Sequence, residues 1–194
     1  MKKTRAKLWK TLQGRLASGE LKLDVPTLES HSGDKWFAAS LPEAVAIPRS
    51  VKSVSSILQF AYRHDIPVTP RGAGYGYVGG CVPSRGGIAL SLARMSRIRE
   101  INQKDFVAVV QPGVVTAALQ VAVEAKGLYY PPDPASRSDC SIGGNIATNA
   151  GGPRCLKYGV TSDYVLGLQV VLADGAIVSI GSRTHKNKTG FDFA

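Results

Sequence analysis

Two glycine-rich segments constrain this chain more than any other feature: Pro70-Arg-Gly-Ala-Gly-Tyr-Gly-Tyr-Val-Gly-Gly80 and Ser141-Ile-Gly-Gly-Asn-Ile-Ala-Thr-Asn-Ala-Gly-Gly152. Glycine loses more conformational freedom on folding than any other residue, so clustering it is costly unless backbone must be approached closely. Successive backbone N–H groups in such loops form concave nests that bind phosphate or pyrophosphate. Two such segments in 194 residues point to a long anionic ligand held at two places. A dinucleotide has that shape.

The length allows one domain or two small lobes around a respectable core. No apolar run approaches the ~20 residues that span a bilayer. The start, Met1-Lys-Lys-Thr-Arg-Ala-Lys-Leu-Trp-Lys10, is basic but no apolar stretch follows, so it does not read as a secretory signal. A solvated amphipathic helix is the simpler reading than one that touches acidic lipid. The 24 Lys and Arg against 14 Asp and Glu leave a net charge of +10, which raises nucleic acid as a partner. Its distribution argues otherwise: five of the 24 lie in the first ten residues, and Arg183, Lys186 and Lys188 sit at the other end. No basic stripe interleaved with aromatics runs through the middle, as a single-strand groove would need. Cys81, Cys140 and Cys155 form no C-x-x-C pair and no even framework, so a reduced, cytoplasmic setting is expected. His31, His64 and His185 have no metal-ligand spacing, and no metal site is expected.

The apolar spacing predicts a helix over 3–18, with Leu8, Trp9, Leu12 and Leu16 on one face, then a polar connector containing Pro26 and Gly33. A short strand is expected over 44–48 and a helix over 51–64, capped by Ser50. Strands follow at 66–69, 87–92, 98–101 and 106–110. A helix over 114–126 stops at Gly127. Residues 128–157 read as a long irregular stretch, of the kind that is usually functional. A hairpin of 164–172 and 176–180 turns at Asp174-Gly175. Hairpins mixed with crossovers favour an α+β fold over a doubly wound sheet.

Gly74-Tyr-Gly-Tyr-Val-Gly79 matches G-x-G-x-x-G after a strand. The Rossmann reading needs a helix to begin there and an acidic residue some 20 positions on. Gly80-Cys-Val-Pro-Ser-Arg-Gly-Gly87 follows instead, so that reading is rejected. What remains is a wide loop whose own amides can wrap a pyrophosphate. Arg71 either supplies positive charge to it or braces its turn. In the second segment, Ser141, Asn145, Thr148 and Asn149 place hydroxyl and amide groups among Gly143, Gly144, Gly151 and Gly152. Such groups suit phosphate oxygens or a heterocycle edge, and equally suit turn chemistry.

Several longer stretches carry a resemblance. They include Ala46-Ile-Pro-Arg-Ser50, Ile66-Pro-Val-Thr-Pro-Arg-Gly-Ala-Gly74, Val110-Gln-Pro-Gly-Val114, Pro132-Asp-Pro134 and the second segment through Pro153. Lys157-Tyr-Gly159, Asp163-Tyr-Val-Leu-Gly-Leu-Gln-Val-Val-Leu-Ala-Asp-Gly175 and Lys188-Thr-Gly-Phe-Asp192 complete them. On these the chain resembles the N-terminal portion of the flavin-linked oxidases and dehydrogenases of the vanillyl-alcohol oxidase and p-cresol methylhydroxylase (PCMH) superfamily. Within it, the D-lactate dehydrogenase and glycolate oxidase flavoprotein subunits are the group it most resembles.

The resemblance implies a PCMH-type FAD-binding domain of two α+β lobes with FAD between them. It also implies an N-terminal helix and connector over 1–37 and the domain over 38–194, with lobes of about 38–105 and 106–194. Pro70, Arg71, Gly72, Ala73, Gly74, Tyr75, Gly76, Gly79 and Gly80 would form the pyrophosphate loop. Pro132, Asp133, Ser136, Ser141, Gly143, Gly144 and Asn145 would line diphosphate and flavin, with Thr148, Gly151, Tyr158 and Gly159 close behind. Tyr75 stands where covalently linked members carry His, so non-covalent FAD is expected. The family's next motif, Gly-Ser-Glu-Gly, and its substrate cap are not in this sequence, so a truncated domain with no assignable catalytic residue is expected. The parent chemistry is oxidation of a 2-hydroxy acid by hydride transfer to flavin. A partner electron-transfer chain and a place at the inner face of the membrane are further expectations. Two other readings stand beside it: a non-catalytic remnant, and the flavin domain of a MurB-like reductase.

Overall fold

The chain forms two compact units in the computed structural model, which describes residues 2–184. One unit is Met1–Arg94 joined by Val171–Ile177, and the other runs from Met95 to Val170 and resumes at Val178. His185, Lys186, Lys188 and the Lys188–Asp192 match lie outside the described residues.

The first unit opens with α1 (Lys2–Gln13), which buries Trp9 and Leu12. The helix ends five residues before its expected limit. Gly14 follows it, and glycine inside a helix is disfavoured by about 1 kcal/mol relative to alanine. The chain then turns so that Glu20, 1% exposed, can accept the Ala17 amide at 3.3 Å and the Arg49 amide at 2.8 Å. The connector expected to be irregular holds β1 (Leu21–Lys22) and α2 (Val25–Ser30). Asp24 caps α2 by accepting from the Thr27 amide at 3.1 Å, and Pro26 sits in its first turn.

Strand β2 (Ala44–Ala46), helix α3 (Val51–Arg63), strand β3 (Val68–Arg71) and strand β4 (Ile88–Ser91) complete the unit, in the sheet order β1-β2-β4-β3. The β1 pairing is antiparallel, while β2 and β3 both run parallel to β4. Every residue of β4 is buried, which explains a continuous apolar run rather than alternation. Ser50 caps α3 as expected, accepting from the Ser53 amide at 3.1 Å, and Val54, Ile57, Phe60 and Ala61 face inward. Strand β3 starts two residues late because the Ile66 amide closes α3 on Ala61 O at 2.9 Å.

Val68 pairs with Ile88 and Arg71 with Ser91, so the chain between β3 and β4 must return along the full length of the strands. A parallel return needs a dozen or more residues, usually a helix. Here the first glycine segment makes that return with no helix at all. The absence of a helix after Gly79 agrees with the rejected Rossmann reading.

In the second unit, β5 (Ile98–Asn102) and β6 (Val107–Val110) form an antiparallel pair with a bulge between Ile98 and Glu100. Helix α4 (Thr116–Glu124) ends in paired bonds from Gly127 N to Glu124 O and from Leu128 N to Val123 O, with Gly127 at φ +70. That is the Schellman arrangement expected of a stop glycine. Val114, Leu119, Val123 and Ile142 form the core, with Ile98, Ile101, Val110 and Ile146 packed against it.

The stretch expected to be irregular is partly helical: it contains α5 (Ile142–Thr148), followed by α6 (Cys155–Tyr158) and a 3-10 turn, Thr161–Tyr164. Strands β7 (Gly167–Val171) and β8 (Ile177–Gly181) make the expected hairpin, with Leu172 N donating to Ala176 O at 2.8 Å. Hairpins and parallel crossovers together make the fold α+β. Among the described residues no helix is long and apolar enough to cross a membrane.

Candidate functional site

The first glycine segment leaves β3 at Arg71, at the carboxyl end of a parallel strand, where open sheets of this kind place their ligands. Pro70 and Arg71 close the strand, and Gly72, Ala73, Gly74, Tyr75, Gly76, Gly79 and Gly80 follow in one continuous loop. Arg71 folds beneath it. Its Nη1 donates to Gly33 O and reaches Cys81 Sγ at 3.4 Å, and a Cβ at Gly74 would overlap the guanidinium. Arg71 therefore braces the turn, and among the described residues no carboxylate forms an ion pair with it. Burial and the nearby Arg71 charge hold the His31 imidazole below its ordinary range. His31 Nδ1 donates to Thr27 O at 2.9 Å.

The loop's amides over 73–78 are uncommitted. Among the described residues no hydrogen bond runs from the amides of 73–78 to a protein acceptor. Nothing lies within 4 Å of where a Cβ would stand at Gly76, Gly79 or Gly80. These glycines are not explained by packing against their own chain.

The second segment is built the opposite way. Ile142 N donates to Val114 O at 2.8 Å, Gly143 N to Pro112 O at 2.8 Å, and Gly144 N to the Ser141 hydroxyl at 3.3 Å. The amides at the start of α5 are thus taken by the protein. A Cβ on Gly143 would stand 2.7 Å from Pro112 Cβ, so glycine here permits the helix to dock. Asn145, 3% exposed, turns inward and donates from Nδ2 to Thr116 Oγ1 at 2.6 Å. Thr148 Oγ1 donates to Gly144 O at 3.0 Å, and Asn149, left-handed at φ 47, accepts the Ser162 amide at 2.9 Å. All four polar groups read from the sequence have partners within the chain.

The remaining candidates cluster in the same unit. Pro132 O accepts from Gln120 Nε2 at 2.9 Å, and the Ser136 carbonyl accepts the Asp139 and Cys140 amides. Asp133 pairs with Arg154 at 3.2 Å, and a Cβ on Gly152 would collide with the Asp133 backbone. Gly151 lies in ordinary contact distance of Cys155 and Val160. Tyr158 crosses Tyr129 edge-on with centroids 6.0 Å apart, and Lys157 Nζ lies 4.9 Å from the Tyr158 ring centroid. Gly159, at φ +84, leaves room for the Asp163 carboxylate, which accepts the Val160 amide at 2.7 Å. Burial pushes the neighbouring Tyr130 phenol up.

A family model described as an FAD binding domain matches residues 42–181. The chain belongs to the FAD-binding domain family. It is 48% identical over 153 residues to the glycolate oxidase subunit GlcD of Bacillus subtilis, covering 79% of this chain and 33% of that protein. It is 40% identical over 176 residues to a D-2-hydroxyglutarate dehydrogenase of Stutzerimonas stutzeri, covering 90% and 38%. The structure of p-cresol methylhydroxylase with substrate bound superposes with a TM-score of 0.79 at 23% identity, covering 93% of this chain.

 That last match covers 36% of the p-cresol methylhydroxylase chain, and at this identity it speaks to the fold alone. The chain spans about a third of the length of the curated relatives it matches.

The first loop fits the FAD named by the family. Its unpaired amides and open glycine positions suit phosphate oxygens, and Arg71 keeps positive charge at its root. The FAD-binding domain thus presents one free cradle and one segment whose glycines serve its own packing. Sequence reasoning missed Asp34, whose Oδ2 accepts the Gly79 amide at 2.8 Å. Only a Gly33-Asp34 turn signal marked it, and nothing local tied it to a loop 45 positions away.

Proposed function

We propose that this chain is the FAD-binding portion of an oxidoreductase that oxidises a small 2-hydroxy acid of the D-lactate or glycolate type. The observation that carries the reading is the loop at the end of β3, with its uncommitted amides over 73–78 and open space at Gly76, Gly79 and Gly80. When bound, FAD supplies the acceptor for the hydride that leaves the substrate α-carbon, while the hydroxyl proton goes to a base. The chain's own part is to bind and orient. The amides of 73–78 hold the pyrophosphate, and Arg71 fixes the loop at its root and offsets phosphate charge. Tyr75 leaves the cofactor non-covalent, since a phenol in this position replaces the imidazole that forms the covalent link in some relatives. No residue here is assigned as the base, and substrate contacts are proposed to come from a part of the protein beyond this third, with electrons passing on to a partner chain.

The test is a visible spectrum of the purified chain with and without added FAD. A flavin band that co-purifies, or binding at micromolar FAD, is expected. Failure of both removes the cofactor reading for this chain. Dye reduction by D-lactate or glycolate is expected to be undetectable with this chain alone, and a clear rate would overturn the assignment of substrate contacts elsewhere.

A further inference from the structure

Ahead of β2 the chain folds back on itself, with Gly33 bridging Ala39 and the Ser40 amide donating to Ser32 O at 2.9 Å. The tip of this fold runs beside the first glycine loop and touches it from Gly33 to Trp36. Gly33 O accepts from Arg71 Nη1 at the root. Asp34 Oδ2 accepts the Gly79 amide at 2.8 Å while its Oδ1 accepts the Trp36 amide at 2.8 Å. Lys35 N donates to Gly76 O at 3.1 Å, its Nζ stands 4.9 Å from the Tyr75 ring centroid, and Trp36 crosses Tyr77 at 5.8 Å. Among the described residues no carboxylate pairs with Lys35.

We propose that residues 33–36 are a clamp that holds the phosphate loop in its binding shape, with Asp34 as the positioning residue and Lys35 as a cation facing the phosphates. This rests on the FAD reading above. The clamp lies outside the residues matched by the family model, 42–181. A glycine loop has much conformational freedom to lose, and ordering it during folding rather than at binding raises affinity for the ligand it fits. One carboxylate does this from both sides: one oxygen sets the clamp's own turn, and the other holds the far end of the loop. With Arg71 bonded to Gly33 O and Lys35 over the Tyr75 ring, two cations stand at the loop that carries the unpaired amides, a charge balance that suits a pyrophosphate.

The test compares the parent chain with Asp34→Ala, Asp34→Asn, Lys35→Ala and Lys35→Arg. Each is titrated with FAD, and with ADP as a probe of the phosphate side. Asp34→Ala is expected to weaken both by about tenfold, and Asp34→Asn by less, since one acceptor remains. Lys35→Ala is expected to weaken both by about threefold to tenfold and to flatten their salt dependence, with Lys35→Arg restoring them. Lys35 is exposed, so its variants serve even if Asp34→Ala unfolds. Unchanged affinities in a parent that binds FAD overturn the clamp. If the parent binds no FAD, the flavin reading fails, and amide exchange by NMR judges the clamp alone. The Gly79 and Lys35 amides are expected to be protected in the parent and to lose protection in Asp34→Ala; equal exchange in both overturns it.

Discussion

Gly87 enters β4 at φ +70, and a Cβ there would overlap the Pro67 carbonyl. Gly87→Ala therefore meets both a left-handed backbone and a filled space, and is expected to cost about 3 kcal/mol. Urea unfolding would show this as a lower midpoint at unchanged slope; an unchanged midpoint would mean that the strand shifts freely. Asn145→Ala removes the donor to the buried Thr116 hydroxyl and is expected to cost about 2 kcal/mol by the same measurement. The sequence could not separate these roles. Ser, Thr and Asn side chains cap and turn backbone as readily as they meet ligands. Which they do was decided by distant residues, Thr116 for Asn145 and Ser162 for Asn149.

At the scale of elements, the same cap chemistry appears in one helix the sequence revealed and one it hid. Ser50 and Ser141 each accept an amide at the start of a helix, α3 and α5. Their alanine variants are each expected to lose about 1 kcal/mol. The caps lie in different units, so the double variant should add to within about 0.5 kcal/mol; a larger discrepancy in urea midpoints would show coupling. Helix α3 was legible because a cap precedes a regular apolar face of Val54, Ile57 and Ala61. Helix α5 was not, because two glycines, an asparagine and a threonine are poor helix formers, and its start depends on Pro112 and Val114. A charge contact joins β5 to the chain after β8. Arg183 bonds Glu100 at 2.7 Å and holds its carboxyl below the usual carboxylate range. A carboxyl lowered in the folded state favours folding above its unfolded value and loses that contribution as pH falls through the folded one. Arg183→Ala should raise Glu100 toward the ordinary carboxylate range in an NMR titration; an unmoved titration would assign the shift to another cause.

For the whole molecule, the family assignment carries a thermodynamic consequence. A ligand that binds only the folded chain stabilises it by about 2.7 kcal/mol at a hundredfold excess over its dissociation constant. FAD at that excess is expected to raise the thermal midpoint by roughly 5–10 °C for a chain of this size, and no rise despite saturation would show binding to the unfolded chain as well. The sequence determined the α+β class, the Ser50 cap, the stop at Gly127 and the presence of two glycine-rich segments, because these follow from local propensity and periodicity. Tertiary structure alone decided how each segment is packed. A glycine records that something comes close, without recording what. At Gly143 it is Pro112 of the same chain, whereas Gly76, Gly79 and Gly80 face open space. The residue that holds the open loop, Asp34, is brought to Gly79 by long-range packing, which no local pattern in the sequence specifies.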